Sequence, residues 1–155
     1  CAIDNNPLVK KIETRIKIDK PAQQVWEKLT DFQELSNWNP FLKKITGDPL
    51  SDNEIEVLLK VPGSDKTMTF KPRVLKFEKN REFRWKGKLL MPGIFDGEHY
   101  FILDELSENG TEFIHGEIFS GILIPFMGGM LEDTENGFDK MNEALKYEVE
   151  AINFT

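Results

Sequence analysis

Residues 94–121 read IFDGEHYFILDELSENGTEFIHGEIFSG and contain two runs of alternating side chains separated by the turn sequence SENG. Alternation with a period of two is typical of β-strands, and Gly with Asn between two such runs is typical of a hairpin turn. The stretch therefore predicts two long antiparallel strands. One set of alternating side chains in this hairpin is rich in aromatic residues and comprises Phe95, Gly97, His99, Phe101, Leu103, Phe113, His115, Glu117, Phe119 and Gly121.

The polar members of this face are the first candidates for a functional site. His99 and His115 are the two histidines of the chain, and Glu117 lies two residues beyond the second. A few polar groups among aromatic side chains are typical of a small-molecule pocket. A buried His–Glu pair that only satisfies its own hydrogen bonds is the alternative. Two histidines and a carboxylate could also bind a metal, but the phenylalanine-rich setting disfavours this, and we expect no metal and no cofactor.

The register of the hairpin presents a conflict. A four-residue loop at 107–110 pairs Leu106 with Thr111 and would place the two aromatic stripes on opposite faces. Burial of both stripes requires a bulge or a loop that differs by one residue. We therefore predict an irregularity near the turn and expect His99 to face Glu117 across the hairpin.

The remaining pattern predicts an α+β fold. One strand comes first, two short helices follow it, and several strands precede a long amphipathic helix at about 130–152. Pro72 interrupts a strand predicted at 66–78, which indicates an edge position or a bulge. A helix with one apolar face needs a surface to cover. We therefore expect a curved antiparallel sheet of about six or seven strands wrapped around the C-terminal helix.

Size and charge limit the function classes. We expect the 155 residues to form a polar leader at 1–10 and one domain at 11–155. The net charge of −7 argues against a nucleic-acid partner, because such proteins carry clustered Lys and Arg. No apolar run approaches the roughly 20 residues of a membrane-spanning helix, so we expect no transmembrane segment. The oligomeric state is left open.

Several short motifs occur in a characteristic order between residues 10 and 150. They are Pro21-Ala22, Val25-Trp26, Thr30-Asp31-Phe32, Trp38-Asn39-Pro40-Phe41, Trp85-Lys86-Gly87, the GxHxFxL run from Gly97 and the GTxFxHxExFxG run from Gly110. Together they resemble the START-related helix-grip superfamily (SRPBCC-like proteins). Within it, the chain is most similar to the group described as polyketide cyclase/dehydrase and lipid transport.

The resemblance implies a hydrophobic cavity between the sheet and the C-terminal helix. It suggests that the protein binds or transports a hydrophobic or aromatic small molecule. By the same resemblance, the side chains that contact this ligand are Phe83, Trp85, Phe95, His99, Phe101, Phe113, His115, Glu117, Phe119, Met141 and Leu145.

Two other functions stay open on the sequence. An enzyme of the cyclase, dehydratase or hydrolase kind could use His99, His115 and Glu117 for proton transfer, with a histidine as general base. The polar residue sets of the superfamily's cyclases are not reproduced here, which favours binding over catalysis. A protein-interaction or stress module with a cavity filled by side chains is the third hypothesis.

Cys1 bears on localisation. It is the single cysteine and the first residue, an arrangement that fits a lipid-anchored bacterial lipoprotein. The superfamily that the chain resembles is mostly cytoplasmic, so we expect a cytoplasmic protein, with the lipoprotein as the alternative.

Overall fold

The computed structural model describes residues 6–88 and 95–152. Within them the chain forms eight strands, three α-helices and one 3₁₀ turn at Ile124–Phe126. In chain order the strands and helices are β1 (Val9–Ile18), α1 (Ala22–Leu29), α2 (Leu35–Trp38), β2 (Leu42–Thr46), β3 (Glu56–Lys60), β4 (Thr67–Phe70), β5 (Arg73–Glu78), β6 (Glu82–Lys88), β7 (Asp96–Ser107), β8 (Gly110–Ser120) and α3 (Gly128–Glu150).

The strands form two antiparallel sheets. The larger has the order β1-β8-β7-β6-β5, and the smaller has the order β2-β3-β4. A bridge between Glu54 and Arg73 links the two. The predicted α+β class, with an antiparallel sheet and a long C-terminal helix, is confirmed. The strands differ in number and grouping from the single sheet of six or seven that the sequence predicts.

Pro72 explains part of this difference. The strand predicted at 66–78 is divided, because β4 ends at Phe70 and β5 begins at Arg73. Proline has no N–H to donate to a ladder, so it cannot continue a strand that pairs on both sides. Its carbonyl still accepts a hydrogen bond from the backbone N–H of Ile55 at 3.0 Å. The chain therefore leaves one sheet and enters the other at this proline.

The β7–β8 hairpin contains the predicted irregularity. Ser107 pairs with Gly110 at the turn, and the register then shifts by one residue at Leu106, whose side chain is exposed. Beyond the shift, His99 pairs directly with Glu117. Both predictions are confirmed. The shift brings both aromatic stripes to the inner face, where their burial outweighs the cost of one irregular turn.

Helix α3 lies over this inner face. Its buried side chains follow the i, i+3, i+4 spacing of a single helical stripe and are Thr134, Phe138, Met141, Asn142, Leu145 and Val149. The helix begins two residues before the predicted start, at Gly128. Its C-terminal end is tied to the first strand, since Lys146 Nζ donates to the carbonyl of Lys17 at 2.8 Å.

Both ends of the chain bear on earlier expectations. β1 begins at Val9, so the last two residues of the predicted leader belong to a strand. Cys1 lies outside the described residues. Among those residues, no helix is long and apolar enough to span a membrane.

Gly116 provides a test of the packing on the outer face of the sheet. A Cβ atom there would collide with the phenol of Tyr100 and would lie 2.7 Å from the carbonyl oxygen of Ile12. We expect Gly116→Ala to lower the free energy of unfolding by about 1–3 kcal/mol, because a backbone atom must move. Urea denaturation monitored by circular dichroism measures it.

Gly129→Ala is the matched control, because a Cβ at Gly129 meets no atom within 4 Å. This substitution should leave stability unchanged or raise it by up to about 1 kcal/mol. Equal losses in the two variants would contradict the packing described for Gly116.

Candidate functional site

The two histidines and Glu117 are in direct contact. His99 Nδ1 lies 3.2 Å from Glu117 Oε1, and His99 Nε2 lies 2.8 Å from His115 Nε2. These side chains share the inner face because the strand alternation and the register shift of β7 and β8 place them there. The sequence analysis thus identified three residues that the fold brings together.

Two further polar residues, which the sequence analysis did not nominate, extend this chain of hydrogen bonds. His115 Nδ1 lies 2.9 Å from Asn142 Oδ1 on α3. Asn142 Nδ2 donates to Thr14 Oγ1 on β1 at 2.8 Å, and the Thr14 hydroxyl donates to the backbone carbonyl of His115 at 2.9 Å. We call Thr14, Asn142, His115, His99 and Glu117 the polar chain.

The backbone carbonyl of His115 determines the direction of the polar chain, that is, which group donates and which accepts in each of its hydrogen bonds. A carbonyl can only accept, so the hydroxyl of Thr14 donates to it and the Thr14 oxygen accepts from Asn142 Nδ2. The oxygen of the Asn142 amide therefore faces His115, whose Nδ1 must carry the proton. His115 Nε2 is then an acceptor for the Nε2–H of His99. The remaining nitrogen, His99 Nδ1, accepts from a protonated Glu117.

Burial favours this uncharged arrangement. Burial lowers the pKa of His99 to about 3 and holds the pKa of His115 well below its ordinary value. Burial also raises the pKa of Glu117 to about 8. A charge separated from water is costly, so each group tends to its neutral form. The directions of all three pKa shifts agree with the direction of the hydrogen bonds.

Glu117 and His99 form the polar end of a pocket. The pocket lies between the two sheets and the first turns of α3, and its free volume is about 100 Å³. That volume is room for several waters or for a small apolar group. The described lining is mostly apolar and consists of Phe41, Leu59, Val61, Pro62, Met68, Phe70, Gly87, Phe95, Gly97, His99, Glu117, Phe119, Met130 and Thr134.

Two glycines make room for larger side chains at this end of the interior. Gly87 and Gly97 pair across β6 and β7, and both line the pocket. A Cβ at Gly97 would collide with Glu117 Oε2, and a Cβ at Gly87 would lie 3.1 Å from the Phe70 ring. The missing side chains therefore leave space for the carboxyl group of Glu117 and for the ring of Phe70.

Phe41 forms a wall of the pocket because of the turn before it. The buried Asn39 side chain accepts hydrogen bonds at 2.8 Å from the backbone N–H groups of Phe41 and Leu42. Pro40 keeps Asn39 in an extended conformation, with φ −86° and ψ 118°. The Phe41 ring then stacks on His99 with centroids 5.8 Å apart. Phe41 is therefore buried against the sheet and is not exposed to a partner.

The predicted ligand contacts divide into two groups. Phe95, His99, Glu117 and Phe119 line the pocket. The others lie in the packed core and outside the pocket lining: Phe83, Trp85, Phe101, Phe113, His115, Met141 and Leu145. Rings fill this second region, as the 4.0 Å between the ring centroids of His115 and Phe138 shows. These seven do not line this pocket, whereas the first four do, and a role in ligand binding stays a prediction for all of them.

Signals for the missed residues were present in the sequence. Thr14 falls on the buried side of the β1 alternation, and Asn142 lies in the apolar stripe of α3, four residues after Phe138. A polar residue on a buried face needs a partner. That rule would have nominated both residues, although it could not have told that they contact each other.

The described residues hold no cluster of three or more His, Cys, Asp or Glu side chains suited to a metal ion. Geometry explains this for the polar chain, since the two imidazoles point their Nε2 atoms at each other at 2.8 Å.

The direction of the polar chain predicts the histidine tautomers. His115 should be the Nδ1–H form and His99 the Nε2–H form, because Asn142 and His115 respectively accept those protons. A long-range ¹H–¹⁵N spectrum of the imidazoles at pH 6.5 distinguishes the forms. Asn142→Asp removes the amide donor to Thr14 and should disturb both signals. The Nε2–H form at His115 would contradict the assigned direction.

The raised pKa of Glu117 predicts that the free energy of unfolding depends on pH. Between its ordinary pKa of 4.5 and its folded pKa of about 8, the folded state holds a proton that the unfolded state releases. Stability from this group therefore falls as pH rises through that window. The histidines, whose folded pKa values are depressed, contribute the opposite slope, but only below their ordinary 6.5.

Between pH 6.5 and 8, Glu117 should thus act alone among the three, with a slope of up to about 1.4 kcal/mol per pH unit. Urea unfolding at pH 6.5 and 8 measures the slope. In Glu117→Gln, which cannot ionise, this fall should be absent. A fall of the same size in both proteins would assign it to other groups.

Comparisons with known proteins agree with this architecture. The aromatase/cyclase ZhuI from Streptomyces sp. R1128 superposes with a TM-score of 0.72 at 19% identity, covering 92% of this chain and 94% of that one. A START superfamily protein from Mycobacterium smegmatis gives 0.71 at 14% identity, with coverage of 92% and 99%. Protein MLL2253 from Mesorhizobium loti gives 0.72 at 17% identity, with coverage of 94% and 100%. At these identities, the likeness is one of fold.

A comparison with curated protein sequences gave no match. The sequence profile of one family matches residues 10–150, almost the whole length. The chain therefore belongs to the family described as polyketide cyclase/dehydrase and lipid transport.

Proposed function

We propose that this protein binds and carries a small hydrophobic molecule in the pocket between its two sheets and α3. The observation that carries the proposal is the pocket itself, whose walls are apolar and whose polar groups lie mainly at one end, at His99 and Glu117. Pockets of this composition take most of their affinity from apolar contact and use a few polar groups for orientation.

The aromatic walls suit a flat or compact apolar ligand. Phe95 and Phe119 stack with their rings nearly parallel, at 2° and a centroid distance of 5.6 Å. Each 100 Å² of apolar surface that a ligand buries contributes about 2.5 kcal/mol before the cost of association. A compact ligand with one ring therefore gains enough from these walls to bind without a charged group.

The contacts of the histidines favour binding over base catalysis. Both nitrogens of His99 and both nitrogens of His115 already have partners within the polar chain. A general base must reach the proton that it removes, and neither imidazole has a nitrogen directed at the pocket. Within the polar chain, Glu117 Oε2 is the atom that remains to contact a ligand.

Met130 provides the test, because it lines the pocket at the start of α3. We expect Met130→Trp to occupy the free volume and to weaken binding of the small neutral probe toluene at least tenfold. Isothermal titration calorimetry measures the affinity.

Glu135→Trp adds the same side chain to the exposed face of the same helix and should leave probe binding unchanged. Thermal unfolding of both variants checks that they fold. Failure of the wild-type protein to bind the probe and similar neutral aromatic molecules would overturn the proposal, as would unchanged binding in folded Met130→Trp.

A further inference from the structure

The polar side-chain atoms of the pocket lining determine which hydrogen bonds a ligand can form there. Among the described lining residues, polar side-chain atoms belong to His99, Glu117 and Thr134. A ligand that hydrogen-bonds to a side chain of this lining must use one of them. Their hydrogen-bond donors and acceptors therefore define the chemistry that the pocket recognises.

His99 has no donor to offer a ligand. Its Nε2–H donates to His115, and its Nδ1 is taken up by Glu117 Oε1. These assignments follow from the carbonyl of His115 at the far end of the polar chain, which a bound ligand does not touch.

Glu117 presents an acceptor to the pocket. Its single proton lies on the Oε1 side, in the hydrogen bond to His99. If that proton moves to His99, Glu117 becomes a carboxylate and both of its oxygens accept. In either case, Oε2, which lies against Gly97 at the pocket wall, carries only lone pairs.

Thr134 has the same character. Its hydroxyl donates to the backbone carbonyl of Met130 at 2.8 Å, within the same helix. The hydrogen is used there, and the hydroxyl oxygen keeps its lone pairs. The side-chain polar groups of the described lining therefore accept hydrogen bonds and do not donate them.

We infer that the pocket selects uncharged apolar molecules that carry a hydroxyl group, such as a phenol or a compact alcohol, with the hydroxyl hydrogen donated to Glu117 Oε2. This inference rests on the proposed function and specifies its ligand class. An anion would meet lone pairs within an apolar wall. A cation would give up its hydration without a fixed counter-charge. An ether or ketone accepts only and would leave Oε2 unsatisfied.

A matched ligand series tests the inference. We would measure the affinity of the wild-type protein for phenol, anisole and toluene by calorimetry at pH 6.5, where phenol is uncharged. We expect phenol to bind about tenfold more tightly than the other two. A binding site that can hydrogen-bond a hydroxyl discriminates against analogues that lack it.

Variants of Glu117 identify the atom responsible. Glu117→Leu removes the acceptor and should reduce the preference for phenol to about twofold or less, while toluene still binds. Glu117→Gln can direct its amide N–H to His99 Nδ1 and its oxygen to the pocket, so it should restore the preference. If Glu117→Leu fails to fold, the wild-type series and Glu117→Gln still give the test.

The outcomes separate the two proposals. Equal affinity of the wild-type protein for all three ligands would overturn the hydroxyl preference and leave the proposed function standing. A preference that persists in folded Glu117→Leu would overturn the role of Oε2. If none of the three ligands binds, the result counts against the proposed function, and the inference falls with it.

Discussion

A backbone carbonyl that can only accept a hydrogen bond controls the polar interior of this protein. The carbonyl of His115 orients the Thr14 hydroxyl, which orients the amide of Asn142 and, through it, both imidazoles. The polar chain crosses β1, β8, β7 and α3, so it also joins the helix to the sheet. A buried donor or acceptor left without its partner costs about 1–3 kcal/mol. Each member of the polar chain therefore depends on the position of the others.

The side chains around the polar chain divide the interior into a filled part and an open part. On one side, rings from β7, β8 and α3 pack closely, and Phe138 stacks on His115. On the other side, Gly87 and Gly97 remove two side chains from neighbouring strands. The Glu117 carboxyl group and the Phe70 ring occupy the space that these glycines leave, and the pocket lies beside them. This arrangement explains how twelve phenylalanines in a chain of 155 residues are compatible with a cavity.

The sequence predicted much of this fold because its strongest patterns are local. The alternation in β7 and β8 predicted that His99 faces Glu117 and that the hairpin is irregular near its turn. The structure contains both, with the irregularity at Leu106. The single apolar stripe of the last helix likewise predicted α3. Pro72 was correctly identified as a disruption, but its effect, a change from one sheet to another, depends on pairing partners far away in the sequence.

The candidate site was predicted only in part, for a related reason. Alternation shows which side chains face inward, but it does not tell whether the space beyond them is filled. His115 and Phe101 share the predicted face with His99. Packed rings between the sheet and α3 nevertheless fill the space beside them. Asn142 and Thr14 are 128 positions apart in the chain. Their contact depends on tertiary packing that no local period encodes.

The direction of the polar chain has a consequence for how ligand specificity can arise on a shared fold. The two sheets and α3 leave an apolar volume between them, and apolar contact alone discriminates weakly between ligands of similar size. Discrimination then depends on whether the few polar atoms of the wall donate or accept. In this protein, that property of Glu117 Oε2 is decided at the carbonyl of His115, four hydrogen-bonded side chains away. A substitution at Thr14 or Asn142, neither of which lines the pocket, could therefore change the hydrogen-bonding character of the pocket wall while its shape is retained.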